Sequence, residues 1–345
     1  MNCHASRFAP IAGTHGQRRQ RGAALLAAML TVTLVASFAA AAAWQQWRAV
    51  EVETAERQRV QASWILVGAL DWARLILRED ARSGGADHLG EPWAVALQES
   101  RMSSFLAADK NNTALSPEEE NAEVFLSGQI SDAQALLNIT NLIDSGKIHE
   151  PTLKAFAKLF DLLNLPESEL NLLAENMRFA LDNSPENRSA AQAALTPQRV
   201  EQLVWLGVSK ETLSQLTPYI TLLPVRTPLN VNTASAELLY AAVPSLQLDG
   251  ARRMVSQRAR QHFRSLSEAG QSIGEFSSQI TEGQHAIATR FFEVRGRLRL
   301  NELIVQERSL VQRDGLDVRT LWRTRSALAP QLGTDPAGAP PGSLQ

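Results

Sequence analysis

Residues 21–43 read RGAALLAAMLTVTLVASFAAAAA, a basic residue and a glycine followed by 21 residues without a charge. At about 1.5 Å of rise per residue, an apolar helix of that length reaches across a hydrocarbon core of about 30 Å. In lipid, a helix is also the conformation that satisfies every backbone polar group within one segment. The polar side chains inside the stretch are Thr31, Thr33 and Ser37, whose hydroxyls can donate back to the preceding turn. A membrane helix over 23–43 is therefore expected. Residues 1–22 carry Arg7, Arg18, Arg19 and Arg21 and no acid. The positive-inside rule then keeps the N-terminus in the cytoplasm and sends everything after Trp44 across.

Two processing sites compete. Ala41-Ala42-Ala43 imitates the small-residue cleavage site of a secretory signal peptide. The alternative cut lies before the apolar segment, between Gly22 and Ala23. There the motif RGAALLAAML resembles the processing site of type IV prepilins and pseudopilins, in which a prepilin peptidase removes a short basic leader after Gly and leaves the hydrophobic helix attached. Most such subunits carry Glu at the fifth mature position, where it pairs with a neighbour's N-terminal amine. Counted from Ala23, this chain has Ala27. In that family the loss of this Glu is typical of the K-type minor pseudopilins of type II secretion systems, which need no partner above them and can sit at the tip.

With 345 residues and 44% hydrophobic content, the chain has room for one large or two small domains with real cores. Removing the leader's four arginines from 34 basic residues leaves 30 against 36 acidic, a net charge of −6. That balance argues against a nucleic-acid partner. Cys3, in the leader, is the only cysteine, so a chain without its leader has no thiol and must be stable through its core alone, which is compatible with a periplasmic location.

Beyond the membrane the helix continues. Residues 44–82 contain no Pro, and Val60, Trp64, Val67, Leu70 and Leu77 recur at helical spacing, which predicts one buried stripe. Gly84-Gly85 ends the element. The whole helix, residues 23–82, would be about 90 Å long, with Trp44 and Trp47 at the outer membrane boundary or in packing contacts. Pro92-Trp93 and AVALQES then indicate a short element. The polar run DKNNTALSPEEE, residues 109–120, partly imitates an EF-hand loop, with Asp109, Asn111 and Thr113 at ligand spacing and Glu120 at the twelfth position. Ala114 in place of the turn glycine and Pro117 at a ligand position count against calcium there, and a solvated loop is the simpler reading.

In VFLSGQISDAQALLNIT, residues 124–140, two alternating runs flank Ser131-Asp132-Ala133 and read as a hairpin. Asn138 and Asn141 are turn and cap residues. From 141 to about 284 the signal is helical: LKAFAKLFDLLN, ESELNLLAENMRFALDN, TPQRVEQLVWL and SKETLSQLTPYI are short amphipathic helices. Helices this short must bury their stripes against each other. In residues 229–260, LNVNTASAELLYAAVPSLQLDGARRMVSQRAR, the segment Thr233 to Ser235 caps a first helix and a second follows from Gly250. This resembles a helix-hairpin-helix unit, which elsewhere grips nucleic-acid phosphates. The hairpin VPSLQLDGA lacks the Gly-hydrophobic-Gly sequence that lets phosphate approach. Arg252, Arg253, Arg258 and Arg260 form a local basic face, read most simply as salt-bridged surface. ISDAQALLNITNL is also similar to the strand pair that the K-type pseudopilins carry before their helical insertion, and LNVNTAS followed by a hairpin is similar to the second of the two SAM-like helical subdomains in that insertion.

Gly270-Gln271-Ser272-Ile273-Gly274 matches a nucleophile elbow, but QHFRSLSEA before it is polar and helical, not a buried strand. The six histidines show no metal-ligand spacing, and no enzyme activity is expected. FFEVRGRLRLNELIVQERSL and residues 316–323, after Asp314-Gly315, alternate apolar and charged residues and predict three antiparallel strands. These would rejoin the earlier strands and pack on the long helix. Residues 326–345, rich in Pro and Gly, read as a disordered tail.

The chain is thus identified as a member of the K-type minor pseudopilin family. The resemblance implies an α+β fold, a pilin-like body with a large all-α insertion. The organisation expected is a leader over 1–22, a transmembrane helix over 23–43, body over 44–140, insertion over 141–285 with its second SAM-like unit near 229–270, returning strands over 286–325 and a tail over 326–345. It implies cleavage by prepilin peptidase with N-terminal methylation, a single pass in the cell inner membrane with a periplasmic globular part, and a structural role. With the I-type and J-type minor pseudopilins, the subunit would start pseudopilus assembly at the tip, contacting other pseudopilins and the secreted substrate. Family members can bind calcium. The alternative is a membrane-anchored helix-hairpin-helix protein that binds or takes up DNA.

Overall fold

The computed structural model describes residues 20–102, 124–182, 195–301 and 303–328. Helix α1 (Gln20–Ser83) stops where Gly84 and Gly85 take φ of +64° and +114°, a left-handed conformation that glycine adopts without Cβ strain. The stripe it buries is Ala62, Leu66, Leu70, Ala73 and Leu77. Leu70 and Leu77 are buried as expected, but the first part of the expected stripe is corrected, because Val60 and Trp64 are 54% and 70% exposed. Both rows are apolar, so spacing alone does not choose between them. The choice follows the partners, and the alanines allow close approach to strands carrying Leu126, Phe292 and Leu298.

Those strands form one antiparallel sheet in the order β1-β2-β3-β4-β5, where β1 is Leu97–Arg101, β2 is Val124–Asp132, β3 is Phe291–Leu300, β4 is Leu303–Asp314 and β5 is Asp317–Leu328. The three C-terminal strands form as their alternation predicts. Strand β3 pairs with β2 on one side and β4 on the other, so the chain returns to the sheet it left. In β3, Phe292, Val294, Leu298 and Leu300 are buried. The same row passes through Gly296, where a Cβ would stand 3.2 Å from Leu66 Cδ2. A bare backbone there lets α1 lie close to the sheet.

The hairpin expected at 131–133 does not form. Strand β2 runs straight through to Asp132, whose carboxylate accepts the Gln134 N–H at 2.7 Å and caps a 3-10 turn, Ala133–Ala135. The turn redirects the chain, and Leu137–Asn138 pairs parallel with Ile220–Thr221 instead of folding back. A second short parallel ladder joins Leu229–Asn230 to His285–Ala286.

Between β2 and β3 the described chain is mostly helical: α2 (Glu150–Leu162), α3 (Glu167–Leu181), α4 (Lys210–Leu216), α5 (Ala236–Ala242), α6 (Leu248–Arg260) and α7 (Leu266–Ser272). Ser209, Ser235 and Ser265 each accept a backbone N–H from the first turn of the helix they precede. TPQRVEQLVWL forms a 3-10 helix, Val200–Leu206, not an α-helix. Gly207 closes it at φ +94°, a place where a Cβ would lie 2.3 Å from Leu172 Cδ2. These elements share one apolar core that includes Phe156, Leu159, Phe160, Leu173, Leu239 and Phe263.

Candidate functional site

Two places collect the chain's distinctive residues. The first is the start of α1. Gly22, Ala23 and Ala27 lie on it, all exposed. The helix contains a window of mean hydropathy 2.2, none of it buried, and is long and apolar enough to cross a membrane. The hydroxyls of Thr31, Thr33 and Ser37 donate to Ala28 O, Leu30 O and Thr33 O at 2.8, 2.9 and 2.8 Å. No side-chain hydroxyl of the apolar segment is therefore left without a backbone acceptor. Trp44 and Trp47 are exposed, with ring centroids 5.3 Å apart.

The second place is a polar seam between sheet and helices. Asp132, at the end of β2, accepts from Asn230 Nδ2 at 2.9 Å and from the Thr233 hydroxyl at 2.6 Å. Asn230 also donates to Asp87 O at 3.1 Å. Asn232 holds Phe263 through both its amide groups at 2.9 Å. The asparagines and threonine of LNVNTAS thus latch the α5–α6 pair to the sheet. Burial pushes the Asp132 carboxyl up, against donors that favour its charged form. Gln134 continues the seam, donating to Pro228 O and accepting from Arg290 N. Asn138 caps the 3-10 helix Ile139–Leu142 as expected, accepting from Thr140 N and also from Leu223 N, whereas Asn141 lies inside that helix and is no cap: its side-chain amide brackets the distant Thr227 backbone, donating to its C=O and accepting from its N–H.

At the edge of the seam, Asp80 in the last turn of α1 and Asp87 and Glu91 in the loop after it bring carboxylate oxygens within 4.8 Å of one another. Arg313 of β4, its side chain 10% exposed, donates to Asp80 and Asp87 at 2.5 Å each and to Thr289 O at 3.0 Å. Asp87 also accepts from Thr289 N, and Glu91 accepts from His88 N and Trp93 Nε1. Burial raises Asp87 despite these donors and pushes Glu91 up to about 7. His88 stacks on His262 with centroids 3.7 Å apart. Burial, then the neighbouring imidazole, lowers His88. As a cation site the three carboxylates fit poorly, since a guanidinium already supplies the positive charge and protein N–H groups take the oxygens aimed inward. The EF-hand candidates Asp109, Asn111, Thr113 and Glu120 lie outside the described residues.

Sequence reasoning identified LNVNTAS but missed Asp87, Asp132 and Arg313. Their partners stand on other elements, 226 residues away for Arg313 and Asp87, so no local spacing announces them. It also misread one arginine. Arg252 pairs with Asp249 on the surface, but Arg258 turns inward and donates to Val231 O at 2.5 Å. Burial pulls it down to about 10. Ser272 occupies the last turn of α7 and donates to Ala269 O at 2.6 Å, so the elbow-like pentapeptide follows a helix and not a strand.

Two family models, each described as "Type II secretion system (T2SS), protein K", match residues 135–225 and 229–288. Type II secretion system protein K of Pseudomonas aeruginosa is 26% identical over 329 residues, covering 89% of this chain and 90% of that protein. The protein K of Pectobacterium carotovorum subsp. carotovorum is 28% identical over 335 residues, covering 88% and 96%. A chain in the crystal structure of the GspK-GspI-GspJ complex from enterotoxigenic Escherichia coli superposes with a TM-score of 0.62 at 18% identity. That match covers 79% of this chain and 98% of the other and bears on the fold.

Proposed function

Because the chain belongs to the protein K family of type II secretion systems, we propose that it is the minor pseudopilin that starts pseudopilus assembly from the tip, together with I-type and J-type subunits. The observation that carries this reading is the pairing of an unburied apolar helix, preceded by Gly22 and lacking a carboxylate at Ala27, with a globular part that resembles protein K over nearly its whole length. A subunit with nothing above it has no need of the buried carboxylate–amine pair, and its loss also removes that pair's desolvation cost. In this reading residues 1–22 are a leader cut by prepilin peptidase and 23–43 cross the inner membrane with the N-terminus in the cytoplasm. Residues 44–140 and 286–325 form the periplasmic pilin-like body. Residues 141–285 are the inserted helical domain, whose second SAM-like unit lies near 229–270, and this bulk caps the fibre and meets the secreted substrate.

The co-crystallised GspI and GspJ of the Escherichia coli complex support I-type and J-type partners. The helix-hairpin-helix alternative, DNA binding or uptake, gains no support from the relatives, and the role is a structural one. The test is the N-terminal residue and mass of the mature protein from cells with and without prepilin peptidase. A peptidase-dependent start at Ala23 is expected. A start near Trp44 would make this an exported protein of another kind. Gly22→Val should leave the leader uncut, whereas Ala27→Glu should be processed normally.

A further inference from the structure

Helix α5 ends at Ala242, and the following residues are Val243 and Pro244. The carbonyl of Tyr240 would ordinarily accept from the residue four positions on, but that residue is Pro244, which has no N–H. The chain then turns into α6, whose Gly250 lies so close to Leu246 that a Cβ would stand 2.7 Å from Cδ1. The tight turn aims several carbonyls at one point. Lys158, on α2, reaches that point from the neighbouring helix. Its Nζ lies 2.5, 2.9, 3.0 and 3.3 Å from the carbonyl oxygens of Tyr240, Val243, Pro244 and Leu246, and 4.1 Å from the centroid of the Tyr240 ring.

An ammonium has three N–H donors, so four carbonyl oxygens surround it as a shell of dipoles and not as one-to-one acceptors. Rings of backbone carbonyls hold a dehydrated potassium ion in the same manner, and the aromatic face adds a further attraction for a bare cation. Burial pulls Lys158 down to about 8 with no acid side chain countering it. Its charge at neutral pH is therefore met by dipoles and a ring, not by a carboxylate.

We propose that the hairpin of residues 240–246 is a seat for a partly dehydrated monovalent cation, and that this chain fills the seat with its own Lys158 ammonium. The lysine is then the tether that closes α5 onto α6 and fastens the pair to α2. The inference stands apart from the secretion role and holds whether or not the chain is a tip subunit.

The test uses the full-length chain in detergent, with thermal unfolding in potassium chloride and in tetramethylammonium chloride at equal ionic strength. Wild type should be indifferent to the choice of salt. Lys158→Ala should lose about 4–8 °C in tetramethylammonium, since several half-buried carbonyls lose their partner, and potassium should restore most of that loss. An unchanged midpoint in both salts, or an equal loss in both, would overturn the proposal. Lys158→Met, which keeps the apolar stem, serves if the alanine variant does not fold. It should fold in potassium and be weaker in tetramethylammonium, and a Met variant that stays unfolded in potassium would count equally against the seat.

Discussion

On the sheet, apolar and charged residues alternate, so that β3 buries Phe292, Val294 and Leu298 against α1 while Glu293, Arg295 and Arg299 take the other face and pair with Arg308, Glu293 and Glu99. Between β2 and β3, no described α-helix exceeds 15 residues, and each contributes a few side chains to one common core. The sheet's apolar contacts fall into separate small clusters. A strand pair is held residue by residue through its ladder, whereas a short helix has too few internal bonds to stand alone and is stable only with its neighbours. Local damage should therefore stay local in the sheet and spread in the helical region.

Phe156→Ala is the strongest probe of that difference. Phe156 is fully buried among the helices, and its truncation should destabilise the chain by about 3–5 kcal/mol. Hydrogen exchange should register the loss across α2, α3 and α5 together while β3 and β4 amides stay protected. Loss confined to α2 would break the comparison. Arg313→Met attacks the seam between the regions. It leaves Asp87, whose side chain is 4% exposed, without its charge partner, and should cost about 3 kcal/mol by chemical denaturation. Adding Asp87→Asn should recover part of it, and no recovery would mean that Arg313 acts through packing alone. Leu66→Ala, on the sheet side beside a groove of about 700 Å³, should cost only about 2 kcal/mol because the site is open enough to relax. Its exchange effect should be confined to α1 and the strands.

The pH dependence sharpens the comparison further, with two effects that run in opposite directions. Glu91, raised to about 7 from 4.5 by burial, holds its proton more tightly when folded. Its contribution is fully present below 4.5 and is lost as pH rises through 7. His285, lowered to about 4 from 6.5 by burial, does the reverse: its contribution is present above 6.5 and is lost as pH falls through 4. Melting curves across pH should flatten on the alkaline side in Glu91→Gln and on the acid side in His285→Phe. A Glu91→Gln curve with an unchanged alkaline slope would remove the sheet-side carboxylate from this account.

Much of the fold was legible because it rests on short-range patterns. The end of α1 follows from Gly84-Gly85, and three strands follow from the alternation in FFEVRGRLRL and beyond. Short helices follow from three-and-four spacing with serine caps. The stripe of α1 was read correctly at Leu70 and Leu77 but not at its first turns, where Val60, Trp64 and Leu66 are all apolar and only the opposing strands select Leu66 with Ala62. The 131–133 hairpin was misread for a related reason. Asp132 looks like a turn residue, but its buried partners, Asn230 and Thr233, lie about a hundred residues further on.

By itself, then, the sequence determined the membrane-length helix, the kinds of element and their order, because hydrophobic length and periodicity are properties of neighbouring residues. Tertiary structure alone decided the register of α1 on the sheet, the latch formed by LNVNTAS, the pairing of Arg313 with Asp80 and Asp87, and the seating of Lys158. Each of these is a contact between distant segments, whose energy depends on burial that no local spacing reveals.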